Sequence, residues 1–298
     1  MSASYSLNFQ RPPSLWMIYP RVLAARKPSQ VGEGRAVPRI EAQLTAARID
    51  AAHLARYEQL CGAATDQSLP LCYPHILASP LHLAVLSAEK FPVGLLGLVH
   101  IRNRIEQTRA IARDSRGNIL VSIEGHRETE RGQEFDLHTQ WREGREIVWS
   151  EVSTFLARRR SGSVAAKGSS ALKEPAPDPA DQGRGADAST SFRAPAGLGR
   201  QYGWVSGDLN PIHLSDVTAR AFGFRQAIAH GMWTMARCAA EFSARVPAHC
   251  ILELQFKLPI YLPSWVMLRS WNVAGGVSFT LFDSQGDKPH LTGSLVAA

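Results

Sequence analysis

The chain has 298 residues, of which 45% are hydrophobic and 20% are charged, and its formal net charge is +7. This length and composition fit either one large or two medium globular domains. The basic residues are spread along the chain apart from Arg158-Arg159-Arg160, and no zinc-finger spacing occurs, so nucleic-acid binding is not expected. No apolar run reaches the roughly 18 residues of a membrane span, so none is expected.

The four cysteines form no CxxC pair, and none has a histidine at metal-ligand spacing. This pattern predicts buried, reduced thiols in a cytoplasmic protein, and it predicts no metal site. The cysteines are Cys61, Cys72, Cys238 and Cys250.

Residues 1–160 are predicted to form an N-terminal domain. A short strand leads into a helix at Ala51–Cys61, and a longer apolar helix follows at about Tyr73–Glu89. Four strand-like segments come next: VGLLGLVHIRNRIEQ, ILVSIEGHRE, EFDLHTQWRE and EIVWSEVSTFLARR. Residues 161–189 are rich in Ala, Gly, Ser, Pro and Asp and nearly lack large apolar side chains, which predicts a flexible linker.

Residues 190–298 repeat this order of elements. A helix at Gly197–Ser206 precedes a longer apolar helix at about Ala229–Ala244, and a meander of strands follows. The clearest strand is ILELQFKLPIYL, in which apolar and polar residues alternate from Leu252 to Ile260. One apolar helix followed by an antiparallel meander is typical of a sheet wrapped around a central helix.

The two halves also match residue by residue. Four residues recur after the same 145 positions: Thr45, Arg48, Tyr57 and Gly62 correspond to Thr190, Arg193, Tyr202 and Gly207. His75 corresponds to His230 at a spacing of 155, so the second half has about ten extra residues between the matching blocks. This indicates a duplicated structural unit.

The richest chemistry lies in the segment Ser206-Gly207-Asp208-Leu209-Asn210-Pro211-Ile212-His213. Asp208 and His213 stand five residues apart across a turn, so both side chains could reach one water for acid–base work. The alternative is that Asp208 and Asn210 only form Asx turns and that His213 lies on the surface.

A second candidate element is Ala229-His230-Gly231-Met232, at the start of the long apolar helix. Unpaired N–H groups at a helix N-terminus could stabilise negative charge on an acyl carbonyl oxygen, and Gly231 would allow close approach. The alternative is an ordinary helix start with His230 in the core.

The segment SGDLNPIH, followed by AFGF and AIAHGMW, resembles the signature of the MaoC-like (R)-specific enoyl-thioester hydratases and dehydratases of the hydratase 2 type. The block LPLCYPHILASPLHLAV is similar to the long form with two hot-dog repeats. The resemblance covers most of the chain and implies an α+β double hot-dog fold. It also implies an N-terminal repeat without the catalytic pair, which agrees with Ala63 at the position that matches Asp208. His75 and His100 are accordingly interpreted as structural.

The resemblance implies that a trans-2-enoyl thioester of CoA or acyl carrier protein is hydrated to a (3R)-3-hydroxyacyl thioester, or that the reverse dehydration occurs, in fatty-acid or related acyl metabolism. Asp208 and His213 would be catalytic, with the N–H of Gly231 at the oxyanion. Ser206, Gly207, Asn210 and His230 would complete the substrate site. No cofactor is expected beyond the CoA or carrier-protein handle. A homodimer is compatible with the sequence, although no residue indicates it. Three alternatives are a hot-dog thioesterase, a non-catalytic acyl-binding subunit of a complex, and a dehydratase that acts on a polyketide or other non-fatty acyl thioester.

Overall fold

The computed structural model describes residues 4–24, 26–63, 67–159 and 185–298. The chain divides into two compact units, one within Met1–Leu54 and Gln67–Gly162 and the other within Ala55–Asp66 and Ser163–Ala298. Most of the predicted linker therefore lies outside the described residues, although Ser189 already belongs to a strand. Within the described part of the chain, no helix is both long and apolar enough to cross a membrane.

The first unit is a curved sheet around a long apolar helix. Its elements in chain order are β1 (Ser4–Phe9), α1 (Leu15–Ala24), β2 (Arg39–Arg48), the start of α2 (Ala51–Cys61), α3 (Tyr73–Ser87), β3 (Leu98–Gln107), β4 (Arg116–Ile123), β5 (Arg127–Thr129), β6 (Gly132–Glu143) and β7 (Glu146–Arg158). The strands lie in the order β1-β2-β4-β6-β7-β3, with β5 paired to β6. All of these pairs are antiparallel except β1 with β2.

Helix α3 is the central helix of this unit. It packs against β2, β4 and β6 and contributes Ile76, Leu81 and Val85 to the core. Eleven of its 15 residues are buried, so it is apolar nearly all round rather than amphipathic. The helix ends at Ser87, two residues before the predicted end.

The second unit repeats this plan. Its elements are the rest of α2, β8 (Ala188–Ala194), α4 (Leu198–Ser206), α5 (Pro211–Leu214), α6 (Asp216–Ala221), α7 (Gly231–Ala240), β9 (Cys250–Phe256), β10 (Ser264–Val273), β11 (Gly276–Asp283) and β12 (Pro289–Ala297). The strand order is β9-β12-β11-β10-β8, and each pair is antiparallel. Helix α7 packs against β9.

Two elements of this unit are shorter than predicted. Strand β9 ends at Phe256, and Ile260 does not continue it, because Pro259 has no N–H for a ladder bond. The Ile260 carbonyl instead accepts a hydrogen bond from Ala229 N at 2.9 Å. Helix α7 closes at Ala240 in 3-10 turns, as the 3.2 Å bond from Glu241 N to the Cys238 carbonyl shows.

Residues that match between the two halves also share their environments. Gly62 follows α2 and Gly207 follows α4, both with positive φ (62° and 75°), a backbone conformation that favours glycine. Tyr57 and Tyr202 are both buried. The halves differ where the second has its extra residues, since α5 and α6 lie between α4 and α7. The described residues between α2 and α3 contain no helix.

Candidate active site

The predicted acid–base loop begins where α4 ends. Gly207, in the left-handed conformation, closes the helix with a hydrogen bond from its N–H to the Gly203 carbonyl at 2.9 Å. The chain then turns sharply, and the N–H of Asp208 donates to Oγ of Ser206 at 3.2 Å. Ser206 and Gly207, both predicted substrate-site residues, therefore shape the loop that carries Asp208.

Asn210 fixes the second half of the loop. Its N–H donates to Oδ1 of Asp208 at 3.1 Å, and its own Oδ1 caps α5 by accepting from Ile212 N at 3.4 Å. Pro211 occupies the first position of α5, where a missing N–H costs nothing. The short helix α5 directs His213 back toward Asp208. The loop and this helix together bring the two side chains close to each other.

His213 is buried, and its tautomer is fixed by its surroundings. Its Nδ1 lies 2.8 Å from the backbone carbonyl oxygen of Ile228, which can only accept, so Nδ1 carries the proton. The lone pair is left on Nε2, which lies 4.0 Å from Oδ2 of Asp208. A carboxylate oxygen and an unprotonated imidazole nitrogen therefore face each other across a gap that one water can bridge.

His230 forms the back of the site. It is the N-cap residue of α7, and its ring stacks on that of His213 with centroids 3.7 Å apart. Its Nε2 donates to the backbone carbonyl of Asp208 at 2.9 Å, and its Nδ1 is buried without a hydrogen-bond partner among the described residues. The structure thus places His230 against both predicted catalytic residues.

Burial controls the charge of both imidazoles. It lowers the pKa of His213, against the opposing effects of Asp208 and the bond to Ile228. Burial, together with the neighbouring His213, lowers the pKa of His230 to about 3. The Asp208 side chain is 44% exposed whereas those of His213 and His230 are 9% and 3% exposed, so the carboxylate is the solvent-facing member of the group. The lowered pKa keeps the His213 imidazole neutral, so its Nε2 lone pair is free to accept a proton.

Gly231 begins α7 with its backbone N–H available. No side chain caps this helix, and the N–H of Gly231 has no hydrogen-bond partner among the described residues. A Cβ at this position would lie 3.0 Å from the Phe256 ring, so a side chain would crowd the approach. The exposed positive end of the α7 dipole can stabilise an oxyanion.

Asp208, His213 and His230 also place potential metal-ligand atoms within 4.8 Å of one another. In each imidazole one nitrogen is already hydrogen-bonded to a backbone carbonyl. The nitrogens without such a bond are Nε2 of His213 and Nδ1 of His230. Of these atoms, Oδ2 of Asp208 and Nε2 of His213 are the ones that face each other across the 4.0 Å gap.

Comparison with known proteins places the chain in a family. The chain is 33% identical over 247 residues to the 3-hydroxyacyl-thioester dehydratase X of Mycobacterium tuberculosis, covering 83% of this chain and 85% of that protein. The chain belongs to the MaoC-like dehydratase family. The family model described as "MaoC like domain" matches residues 191–293, which include the whole loop and α7.

Solved structures agree with the MaoC-like assignment. The crystal structure of HtdX from M. tuberculosis superposes with a TM-score of 0.73 at 30% identity, covering 87% of this chain and all of that one. A second M. tuberculosis protein, described as a double hotdog fold, matches 90% of this chain and 96% of its own at 11% identity and TM-score 0.52. The predicted α+β double hot-dog fold and hydratase/dehydratase class are confirmed.

The N-terminal repeat of this MaoC-like chain contains a buried group of polar side chains that the sequence does not predict. His75, interpreted as a lone structural histidine, lies with Nδ1 2.8 Å from Oε1 of Glu151. Burial alone would raise the pKa of Glu151, but His75 and a hydrogen bond from Asn103 lower it to about 2. His100 stacks on Phe155 with centroids 4.8 Å apart. A charged residue at an inward-facing position of an apolar strand was the available signal for Glu151.

Proposed function

We propose that the chain catalyses the (R)-specific addition of water to trans-2-enoyl thioesters, and the reverse dehydration of (3R)-3-hydroxyacyl thioesters, with Asp208 and His213 as its acid–base pair. The observation that carries this proposal is the fixed tautomer of His213, whose lone pair faces Asp208 across 4.0 Å. This arrangement can hold and deprotonate one water, which is the chemical requirement of hydration.

In the hydration direction, a water bound between His213 Nε2 and Asp208 Oδ2 loses a proton to this pair as its oxygen bonds to C3. The C2–C3 π electrons move toward the thioester carbonyl, which becomes enolate-like. The same pair then returns a proton to C2, so hydrogen and oxygen of one water are added across the double bond. The step is redox-neutral and uses water as its co-reactant. Because both groups can contact the same water, the proton is assigned to the pair and not to one residue.

The enolate oxygen would lie at the N-terminus of α7. The N–H of Gly231 is available to donate to it, and the dipole of α7 favours negative charge at that point. His230 contributes by holding the Asp208 carbonyl at 2.9 Å, which fixes the carboxylate relative to His213. Asn210, Ser206 and Gly207 act in this scheme by maintaining the loop.

The substrate class is supported by the relative named as a 3-hydroxyacyl-thioester dehydratase. A CoA or acyl carrier protein handle is anionic, and the net charge of +7 would favour either one. The (3R) configuration follows from the resemblance of the SGDLNPIH loop to the hydratase 2 signature. All four cysteines are buried thiols that form no disulfide, which supports a reducing compartment such as the cytoplasm.

The test is a series of trans-2-enoyl-CoA substrates of increasing length, monitored by loss of absorbance of the conjugated double bond. The product's configuration is determined by chiral chromatography after hydrolysis. The proposal requires consumption of the double bond without release of free thiol, and a (3R) product. Release of thiol would indicate a thioesterase. Binding without turnover for every substrate would indicate a non-catalytic acyl-binding protein, and a (3S) product would contradict the stereochemistry.

A further inference from the structure

A second polar cluster is buried in the first unit, on the inner face of its central helix. His75 and His82 are seven residues apart on α3, which is two turns, so both point from the same face. Their rings are 4.8 Å apart between centroids. Glu151 of β7 faces them, and its side chain is fully buried. Potential ligand atoms of these three residues all lie within 4.8 Å of one another.

The cluster is a costly arrangement for a purely structural role. A buried carboxylate needs polar partners, and Glu151 has two here: Nδ1 of His75 at 2.8 Å and a hydrogen bond from Asn103 at 2.7 Å. Apolar residues of similar volume usually stabilise a core at least as well as a buried ion pair does. Stability alone therefore does not explain two imidazoles and one carboxylate inside an apolar helix–sheet interface. A ligand that these three side chains bind would explain them.

The donor set has a recognised use. Two histidines and one glutamate form the ligand set of open zinc sites, in which water or a substrate completes the coordination. Zinc ligands at about 2.0–2.2 Å from the metal are about 3.3 Å apart from one another in tetrahedral geometry. His75 Nδ1 and Glu151 Oε1 are already 2.8 Å apart, so a small opening would admit the ion in place of the proton between them.

Outer partners hold each ligand in orientation, as in metal sites. The Nδ2 group of Asn103 donates to Glu151 Oε1 and contacts Oγ of Ser153 at 3.0 Å. The ring of His82 is fixed by Thr139, whose Oγ1 lies 2.9 Å from Nε2. His75 is the most exposed member of the cluster, with 12% of its side chain accessible, which gives an entry point.

We propose that His75, His82 and Glu151 form a binding site for one divalent metal ion of the zinc type, separate from the acid–base site of the C-terminal repeat. The ion would take the place of the hydrogen bond between Nδ1 of His75 and Glu151. The histidines are adjacent on one helix, but Glu151 lies 76 residues from His75, so no ligand motif is visible in the sequence. The proposal does not depend on the catalytic activity.

The test uses the full chain, freed of metal by chelation and titrated with Co²⁺, which reports histidine and carboxylate ligation through its visible d–d bands. Zn²⁺ is then added to displace it. Because Asp208, His213 and His230 form a competing donor set, the titration is repeated on the double variant Asp208→Asn, His213→Ala. We expect one Co²⁺ per chain in both proteins, displaced by one Zn²⁺, and a higher melting temperature with Zn²⁺.

Two variants remove the proposed ligands, and two serve as controls. His75→Asn and Glu151→Gln should weaken Co²⁺ binding by more than about tenfold, the smallest loss expected even for an outer partner of a metal site. His126→Asn removes a histidine of similar exposure that lies 3.4 Å from Glu128. Glu134→Gln removes another buried carboxylate. Both control variants should bind Co²⁺ as the unmutated chain does.

Absence of saturable binding in the unmutated chain would overturn the proposal. Loss of binding in the Asp208→Asn, His213→Ala protein would overturn it too, since the ion would then belong to the C-terminal cluster. If His75→Asn and Glu151→Gln do not fold, the Asp208→Asn, His213→Ala protein still tests the proposal, because its N-terminal cluster is intact.

Discussion

Nε2 of His213 lies 4.0 Å from Oδ2 of Asp208, too far for a direct hydrogen bond and near enough for one water to reach both. The opposite nitrogen of His213 is bonded to the Ile228 carbonyl, which holds the lone pair toward the gap. The orientation of the proposed acid–base pair is thus set by a backbone group 15 residues after the histidine, and not by the Asp–His motif alone.

Removing either member of this pair should abolish most turnover while leaving thioester binding nearly unchanged. Asp208→Asn and His213→Ala should each lower kcat by about two orders of magnitude or more. The double variant should be little worse than the poorer single one, because groups that act on one water are not additive. The measurement is hydration of crotonyl-CoA and longer enoyl-CoAs. Asp287→Asn, at an exposed turn, is the control; a folded Asp208→Asn protein with normal turnover would rule out the assigned role.

His230 is expected to act by positioning. His230→Phe keeps a ring to stack on His213 but loses the donor to the Asp208 carbonyl, so kcat should fall by about tenfold to a hundredfold as the loop shifts. His230→Gln retains an N–H donor and should recover part of this loss, which a purely structural role would not predict. The pH profile of kcat should also move in the Phe variant. Equal activity of the Phe and Gln proteins would show that the hydrogen bond to Asp208 has no catalytic effect.

The sequence predicts the C-terminal site because its parts are local. Asp208 and His213 are five residues apart, and Gly207, which ends α4, and Pro211, which begins α5, are visible in the motif. Glu151 could not be paired with His75 in advance, since their contact depends on β7 packing over α3. The end of β9 was missed for a similar reason: alternation continues to Ile260, but the backbone of Ile260 bonds Ala229 instead. Local spacing predicts elements and loops, while tertiary packing decides the remaining contacts.

Folding stability should rise with pH across the range set by His230. Its pKa falls from 6.5 to about 3 on folding, so between these values the unfolded chain binds more protons than the folded one. Stability is therefore fully retained above about pH 6.5 and is lost as the pH falls toward 3. The lowered pKa of His213 acts in the same direction. Urea unfolding at several pH values measures this slope.

The slope between pH 3 and 6.5 should decrease in His230→Phe, which cannot bind the proton in either state, while burial of His82, which also lowers its pKa to about 3, keeps part of the slope. His249→Asn, a change at an exposed histidine of the same half, is the matched control and should retain the slope of the unmutated protein. An unchanged slope in His230→Phe would mean that other groups determine the acid sensitivity.

Gly199 should be intolerant of any side chain, because α4 approaches the backbone of His213 at this point. A Cβ on Gly199 would lie 1.8 Å from the His213 carbonyl oxygen and 2.8 Å from its carbonyl carbon, so the backbone of α5 would have to move. Overpacking of this kind costs about 1–3 kcal/mol or more of the free energy of unfolding. A shift of His213 by about 1 Å would also lower turnover by up to about a hundredfold. Gly197→Ala is the matched control two residues earlier, where a Cβ meets only the Gln201 side chain, at 3.7 Å. We expect Gly197→Ala to match the unmutated protein in melting temperature and kcat, and Gly199→Ala to be lower in both. If Gly199→Ala instead matches Gly197→Ala in both measurements, the close packing of α4 on His213 does not exist in solution.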